Sequence, residues 1–409
     1  MKYCLIGEKL SHSYSQEIHC LNGFNYSLRE IKREDLEGFF KKNDYSGFNV
    51  TIPYKREVMK YTAFLSDDAK ETGSVNTVVK TEKGYFGYNT DILGMEYAFT
   101  EKGVSMAGKT VVILGSGGTS MTATCLAKRQ GAKSISIVSR TGEINYSNCY
   151  EKLKSAEIII NTTPVGMFPN VCASPVDLEK FNKVEFVFDC VYNPLKTKLI
   201  LTAERLNIKC DNGLKMLVAQ ALFSEGIWKG ENPDFTAIEE TYKKIKKEKT
   251  NIVLYGMPSC GKTSVGKRLF GKLGREFIDT DEIITEENKL SPSEIIERYG
   301  EEKFREIESE VIKKVARKCG VVISVGGGAV LRKENVEALK QNGILIYIQR
   351  NIHLLVDTDR PLSKEKGIER LYTERKDIYD GIKDYAVNNN SIIDDCVKEI
   401  VDIYENTRN

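Results

Sequence analysis

The octapeptide GMPSCGKT, Gly256 to Thr263, constrains this chain more than any other stretch. It follows the apolar run IVLY and leads into SVGKRLFGKL, so it reads as strand, glycine-rich loop and helix. Each fixed position of G-x-x-x-x-G-K-[ST] has a physical task. The glycines let backbone N–H groups close around phosphate oxygens, Lys262 neutralises them, and the Thr263 hydroxyl can hold Mg²⁺. The expected phosphate cradle is Gly256, Met257, Pro258, Ser259, Cys260, Gly261, Lys262, Thr263 and Ser264. Such a loop normally opens its domain on the first strand, yet about 250 residues precede it here. Another folding unit must occupy the first half.

The 409 residues suffice for two or three domains, each with its own core. A net charge of +2 argues against a protein that coats nucleic acid or membrane, so an anionic ligand must be met by locally placed Arg and Lys. No apolar run approaches the ~18 residues of a membrane span, and the apolar part of MKYCLIGEKLSHS is too short for a secretion signal. A cytoplasmic enzyme is the expectation. Ten cysteines without a C-x-x-C pair and only three histidines leave few ligands for zinc. Reduced, mostly buried thiols are expected, Cys260 included.

Residues 1–98 alternate β-type runs (YCLI, FNVTI, NTVVK, YFGYN) with helical patterns such as EDLEGFFKKN, an α/β unit. In NVTIPYK, Pro53 cannot continue a central strand, so the chain turns and presents Lys55 beyond a strand end, where α/β sheets put their sites. YNTD places Asp91 comparably. From 108, KTVVILGSGGTSMTATCLAKRQGAKSISIVSRT reads as strand, glycine turn, helix, strand, the opening of a dinucleotide-binding unit. Gly115, Ser116, Gly117, Gly118 and Thr119 form the turn, with Ser120 where G-x-G-x-x-G has its third glycine. An NAD reader usually ends the second strand in Asp or Glu; Ser139, Arg140 and Thr141 stand here, a cation between hydroxyls that suits the 2′-phosphate of NADPH. Residues 211–228 have helical apolar spacing, with Gln220 among them, and EETYKKIKKEKT, polar nearly all round, reads as a solvated helical connector.

Beyond the phosphate loop, REFIDTDEII is expected to deliver Asp279 and Asp281 side by side on one strand face, able to divide Mg²⁺ support from orienting or deprotonating a hydroxyl. Arg305 lies on the acidic helix GEEKFREIESE, where a surface pair with Glu308 or Glu302 is its plain reading. VVISVGGGAVL is a buried strand ending in Gly326, Gly327 and Gly328, where backbone can approach a ligand closely. DRPLSKEKG, containing Arg360, has the chemistry of a mobile lid, and the following helix carries Arg375.

Together these residues match two families. The first half resembles shikimate dehydrogenase through LSHSYS, GFNVTIPYK, SVNTVV, YNTD, GSGGTS, SRT, INTTPVGM, DCVYNPLKT and KMLVAQ, in that order. The second half resembles shikimate kinase through GMPSCGKT, DTD, FREIE, GGG, DRPL and the R-x-x-x-Y at Arg375. The resemblance implies a fusion of the two, acting on 3-dehydroshikimate and shikimate with NADPH, ATP and Mg²⁺, without nucleic acid or membrane partners. It implies an α/β fold: a substrate domain over 1–98 completed by helices in 211–232, a Rossmann-type NADP domain over 99–210, a charged linker over 233–250, and a P-loop kinase domain with a parallel sheet over 251–409.

The same resemblance assigns roles. Ser13 and Ser15 match residues that hold the substrate carboxylate; Thr51, Asn76, Tyr192 and Gln220 match the rest of that pocket; Lys55 and Asp91 match the catalytic pair. In the kinase half, Asp279 and Thr263 match the metal side and Asp281 the position that binds substrate hydroxyls. Arg305 and Arg375 match the carboxylate clamp with Gly327 beside them, and Arg360, like Lys262, matches a cation at the transferring phosphoryl group. Departures are Lys215 for the glycine that usually precedes MLVAQ near the nicotinamide, Ile92 for the glycine after YNTD, and the lack of a second arginine around VDTDRPL. The alternatives are an NAD-dependent quinate or shikimate oxidiser in the first half, or one half kept only for binding or assembly.

Overall fold

A computed structural model describes residues 1–10, 13–42, 44–355 and 367–406. They divide into two compact units, residues 1–193 with 202–245, and residues 194–201 with those from 246 onward.

The first unit holds two sheets. β1 (Tyr3–Gly7), β2 (Tyr26–Glu30), β3 (Gly47–Val50), β4 (Phe64–Leu65), β5 (Thr77–Thr81) and β6 (Gly84–Tyr88) are ordered β2-β1-β3-β5-β6-β4. The β2-β1-β3 core is parallel, whereas β5 runs antiparallel to β3 and β6. YCLIG is buried along its whole length, as an uninterrupted apolar run in a central parallel strand should be. The second sheet contains β7 (Thr110–Leu114), β8 (Ser134–Val138), β9 (Ile158–Asn161), β10 (Phe186–Asp189) and β11 (Lys209–Asn212), all parallel in the order β11-β10-β9-β7-β8.

The helix Leu214–Lys229 then returns to the first sheet. Trp228 Nε1 donates to Val78 O at 2.9 Å, and the helix packs on Asp91–Glu101 so closely that a Cβ on Gly94 would stand 2.6 Å from Met216 O. This helix starts later than its apolar spacing suggests, because Lys209–Asn212 pair with Phe186–Asp189 as a sheet-edge strand.

The segment expected as a solvated connector differs from its reading. Phe235–Lys249 is a helix, but Ile238, Thr241, Tyr242 and Ile245 are buried. Three apolar residues at spacings of three and four make a narrow stripe that the surrounding lysines mask in a composition-based reading.

The second unit is built on β12 (Asn251–Tyr255), β13 (Phe277–Asp279), β14 (Val322–Ser324), β15 (Gly343–Gln349) and β16 (Tyr385–Asn388), all parallel in the order β13-β14-β12-β15-β16. β12 is wholly buried at the sheet centre; each such Val, Leu or Ile contributes roughly 1.5–3 kcal/mol by leaving water. Its C-terminal end opens into the phosphate loop, the edge where parallel sheets bind ligands. Among the described residues no helix is long and apolar enough to cross a membrane. All ten cysteines are free, and five of them are buried, fewer than expected.

Two candidate active sites

In the first unit, Ser13, Ser15, Thr51, Lys55, Asn76, Asp91, Tyr192 and Gln220 line one cavity of about 170 Å³, with Thr119 of the glycine turn at its wall. Lys55 follows the turn after β3, and its Nζ lies 2.6 Å from Asp91 Oδ2. Asp91 opens the helix Asp91–Glu101, where a carboxylate complements the exposed backbone N–H groups. Its other oxygen accepts from Asn76 Nδ2 at 2.9 Å, and Asn76 also reaches Gln220 Oε1 at 3.1 Å. Both carboxylate oxygens are thus held, and the ammonium is kept beside a base that can accompany proton donation. Ser13 and Ser15 face each other, Oγ to Oγ at 3.1 Å. Burial pushes the Tyr192 phenol up to about 12, so it stays a neutral hydrogen-bonding group.

Gln220 is buried, not the surface residue its helix pattern suggests. Behind the pocket lies a polar layer that no sequence motif signals. Asn49 Oδ1 accepts from Tyr26 Oη at 2.7 Å and lies 3.1 Å from His19 Nε2, while its Nδ2 donates to Thr77 Oγ1 and Ser224 Oγ. His19 Nδ1 pairs with Glu225 Oε1 at 2.7 Å. Cys190 also lines the cavity; burial, then the nearby Asp189 and Asp91, push its thiol well up, so it stays protonated.

The glycine turn follows β7. Gly115 has φ +105°, while space over Gly117 and Gly118 is open at the start of the helix Gly118–Arg129. An anionic pyrophosphate fits such a concavity, where N–H groups face outward. Ser139 and Thr141 flank Arg140 just past β8, and exposed Arg140 has no ion-pair partner among the described residues. Ser116 is exposed on the same turn.

In the second unit, Gly261 (φ +99°) and Ser259 (φ +62°) give the phosphate loop its left-handed bends. Lys262 Nζ folds over the loop onto Gly256 O and Met257 O at 3.1 and 3.0 Å; Cys260 is buried beneath and Ser264 lies in the first helical turn. Thr263 Oγ1 donates to Asp279 Oδ2 at 2.8 Å, a hydroxyl and carboxylate pair of the oxygen-donor kind that Mg²⁺ prefers. Asp279 and Asp281 do not share a strand face. β13 stops at Asp279, which caps the next helix by accepting from Asp281 N at 3.1 Å, and Asp281 lies in that helix's first turn. Capping by an Asx side chain outcompetes strand continuation here.

Asp281, Arg305, Gly327 and Arg375 line a cavity of about 470 Å³ that also meets Pro258 of the loop. Arg305 is buried rather than on the surface, with Nη1 2.7 Å from Glu308 Oε2 and Nη2 3.1 Å from Glu301 Oε1. Burial opposes its charge, but Glu308 and Glu301 hold its pKa above the ordinary value. Glu308, read from sequence only as a surface partner, is fully buried; burial raises its pKa against the pull of Arg305, and Oε1 has no hydrogen-bond partner among the described residues. The glycine run is required by crowding: a Cβ on Gly328 would collide with the Arg305 guanidinium, and one on Gly326 would sit 2.7 Å from Glu308 Oε1. Arg360 lies outside the described residues.

Comparison with known proteins gives both halves a counterpart. A family model of the shikimate dehydrogenase substrate binding domain matches residues 5–78, and the shikimate kinase family model matches residues 258–405. The shikimate dehydrogenase (NADP(+)) of Caldicellulosiruptor bescii is 37% identical, the match covering 56% of this chain and 88% of that protein. A chorismate mutase/shikimate 5-dehydrogenase fusion protein from Clostridium acetobutylicum is similar in structure at 37% identity and a TM-score of 0.57, over 59% of this chain and 96% of that one. The shikimate 5-dehydrogenase of Thermus thermophilus, solved in complex with NADP(H) and shikimate, matches at 27% identity and a TM-score of 0.54, over 60% of this chain and 99% of that one.

Proposed function

Because the chain belongs to the shikimate dehydrogenase family and carries a shikimate kinase domain behind that part, we propose that it catalyses two consecutive steps of chorismate biosynthesis: 3-dehydroshikimate to shikimate with NADPH, then shikimate to shikimate 3-phosphate with ATP. The observation that carries the reading is the coexistence of the Lys55–Asp91 pair in one polar cavity with Asp281, Arg305 and Arg375 in another beside a phosphate loop.

In the first reaction NADPH, when bound, supplies the hydride. Gly115 to Thr119 and Ser139 to Thr141 are the residues we assign to hold it. Ser13 and Ser15 orient the substrate carboxylate, and Thr51, Asn76, Tyr192 and Gln220 position the hydroxylated ring. As the ketone oxygen gains charge, Lys55 donates a proton to it, and Asp91 stabilises the ammonium and keeps it aimed. In the second reaction Arg305 and Arg375 clamp the carboxylate, with Gly327 beside them, and Asp281 orients the attacking hydroxyl and accepts its proton. Lys262 stabilises the charge on the transferring phosphoryl group, a role we assign to Arg360 as well. Thr263 and Asp279 would hold Mg²⁺, which neutralises phosphate charge.

A coupled assay on the purified full chain tests this. NADPH oxidation with 3-dehydroshikimate, followed by ADP release when ATP is added, is expected; folded protein showing neither would sink the proposal.

A further inference from the structure

Arg350 lines neither of the two cavities. It lies one residue beyond β15, the strand hydrogen-bonded to β12, and so at the same sheet edge as the phosphate loop. Its Nη1 is 3.9 Å from where a Cβ of Gly261 would stand, and its Nε is buried without a hydrogen-bond partner among the described residues. Among those residues no ion pair holds the guanidinium, although a buried donor left unsatisfied is costly. The wall beside it is rigid: buried Asn389, next after β16, donates from Nδ2 to Cys260 O at 2.8 Å and from its backbone N–H to Gln349 O at 2.8 Å.

The order of the sheet gives this position a direction. β13 and β14, on one side of β12, deliver Asp281 and Gly326 to Gly328 to the acceptor cavity. β15 and β16, on the other side, deliver Arg350 and Asn389. A nucleotide whose terminal phosphate faces the acceptor cavity across the loop extends its nucleoside end toward β15 and β16.

Resting on the kinase reading, we propose that Arg350 is a nucleotide-binding residue that holds the nucleoside-diphosphate portion shared by ATP and ADP. A planar cation without an ion-pair partner among the described residues can pair with a phosphate oxygen or lie on a base, and Asn389 fixes the loop against which it works.

Titration of the full chain with ADP, and separately with shikimate, tests the assignment in Arg350→Ala and Arg350→Gln. Weakening of ADP binding by about tenfold or more, as for a lost charge-assisted contact, is expected in both variants, with shikimate affinity within roughly twofold of wild type. In steady state the same variants should raise KM for ATP far more than they lower kcat. ADP affinity unchanged in both variants would overturn the role of Arg350. So would equal losses of ADP and shikimate affinity, the mark of a general packing defect. Wild-type protein that binds shikimate but no ADP would instead refute the kinase reading beneath it.

Discussion

Lys215 Nζ lies 2.8 and 3.0 Å from the two carboxylate oxygens of Glu239, and 4.7 Å from the centre of the Tyr242 ring. The relationship settles where the Lys215 side chain goes. The side chain turns away from the substrate cavity, which Met216 and Leu217 line instead, and toward the helix Phe235–Lys249. Tyr97 Oη donates to the same carboxylate at 2.9 Å. Lys215→Ala should therefore destabilise the first unit by about 1.5–3 kcal/mol, the range for a hydrogen bond to a charged group. Thermal unfolding checks the loss; a changed KM for NADPH with unchanged stability would contradict it.

The same carboxylate gives a pH signature. Burial alone would raise the pKa of Glu239, but hydrogen bonds from Lys215 and Tyr97 outweigh it and hold the group below its ordinary 4.5. A depressed carboxylate contributes stability that is complete above the unfolded value and is lost as pH falls through the folded one. Wild type and Glu239→Gln should accordingly differ most in unfolding midpoint near neutrality, and the gap should shrink progressively as pH falls below the ordinary 4.5. A gap that stays constant into acid would show that the pair does not set it.

Lys55→Ala is expected to lower NADPH-dependent turnover by about 10²–10⁴, the usual worth of a general acid, while leaving ATP-dependent turnover intact. Lys262→Ala should do the reverse. Paired assays on each variant decide the matter, and loss of both activities from one substitution would rule out separate chemistry.

Arg140 makes no ion pair among the described residues, as suits a guanidinium kept for a ligand phosphate. Arg140→Ala should reduce the preference for NADPH over NADH by roughly tenfold or more, through a higher KM for NADPH. Parallel titrations with the two cofactors measure it, and an unchanged ratio would exclude Arg140 from the 2′-phosphate site.

Continuous apolar runs such as YCLI, VVIL and IVLY were legible as strands because a central parallel strand excludes polar residues on both faces. Loop glycines and their neighbours were legible because backbone geometry restricts which residues fit. Buried polar groups were not. Glu225 and Asn49 look like surface residues until His19, Tyr26 and Ser224 are brought to them from distant parts of the chain. Glu308 was hidden for the same reason: a buried charge is tolerated only through partners that local pattern does not display. The Asp279 cap was a local signal, D-x-D-E ahead of an apolar pattern, but strand and helix-start readings compete at such a junction.

The return of the helix Leu214–Lys229 to the first sheet also orders events during synthesis. Ser224, Trp228 and Gln220 add hydrogen bonds to Asn49, Val78 and Asn76 that residues 1–98 lack on their own. As the chain leaves the ribosome, the sheet of β7 to β11 emerges between the two parts of that lobe. At roughly 5–20 residues per second the first strands wait on the order of ten seconds for their last helix. Nascent chains halted before residue 214 should be open to protease in the first lobe and become resistant once residue 229 is exposed; equal resistance of both would mean that β1 to β6 close without it. The strands of this unit that are made earliest are then among its last to become native.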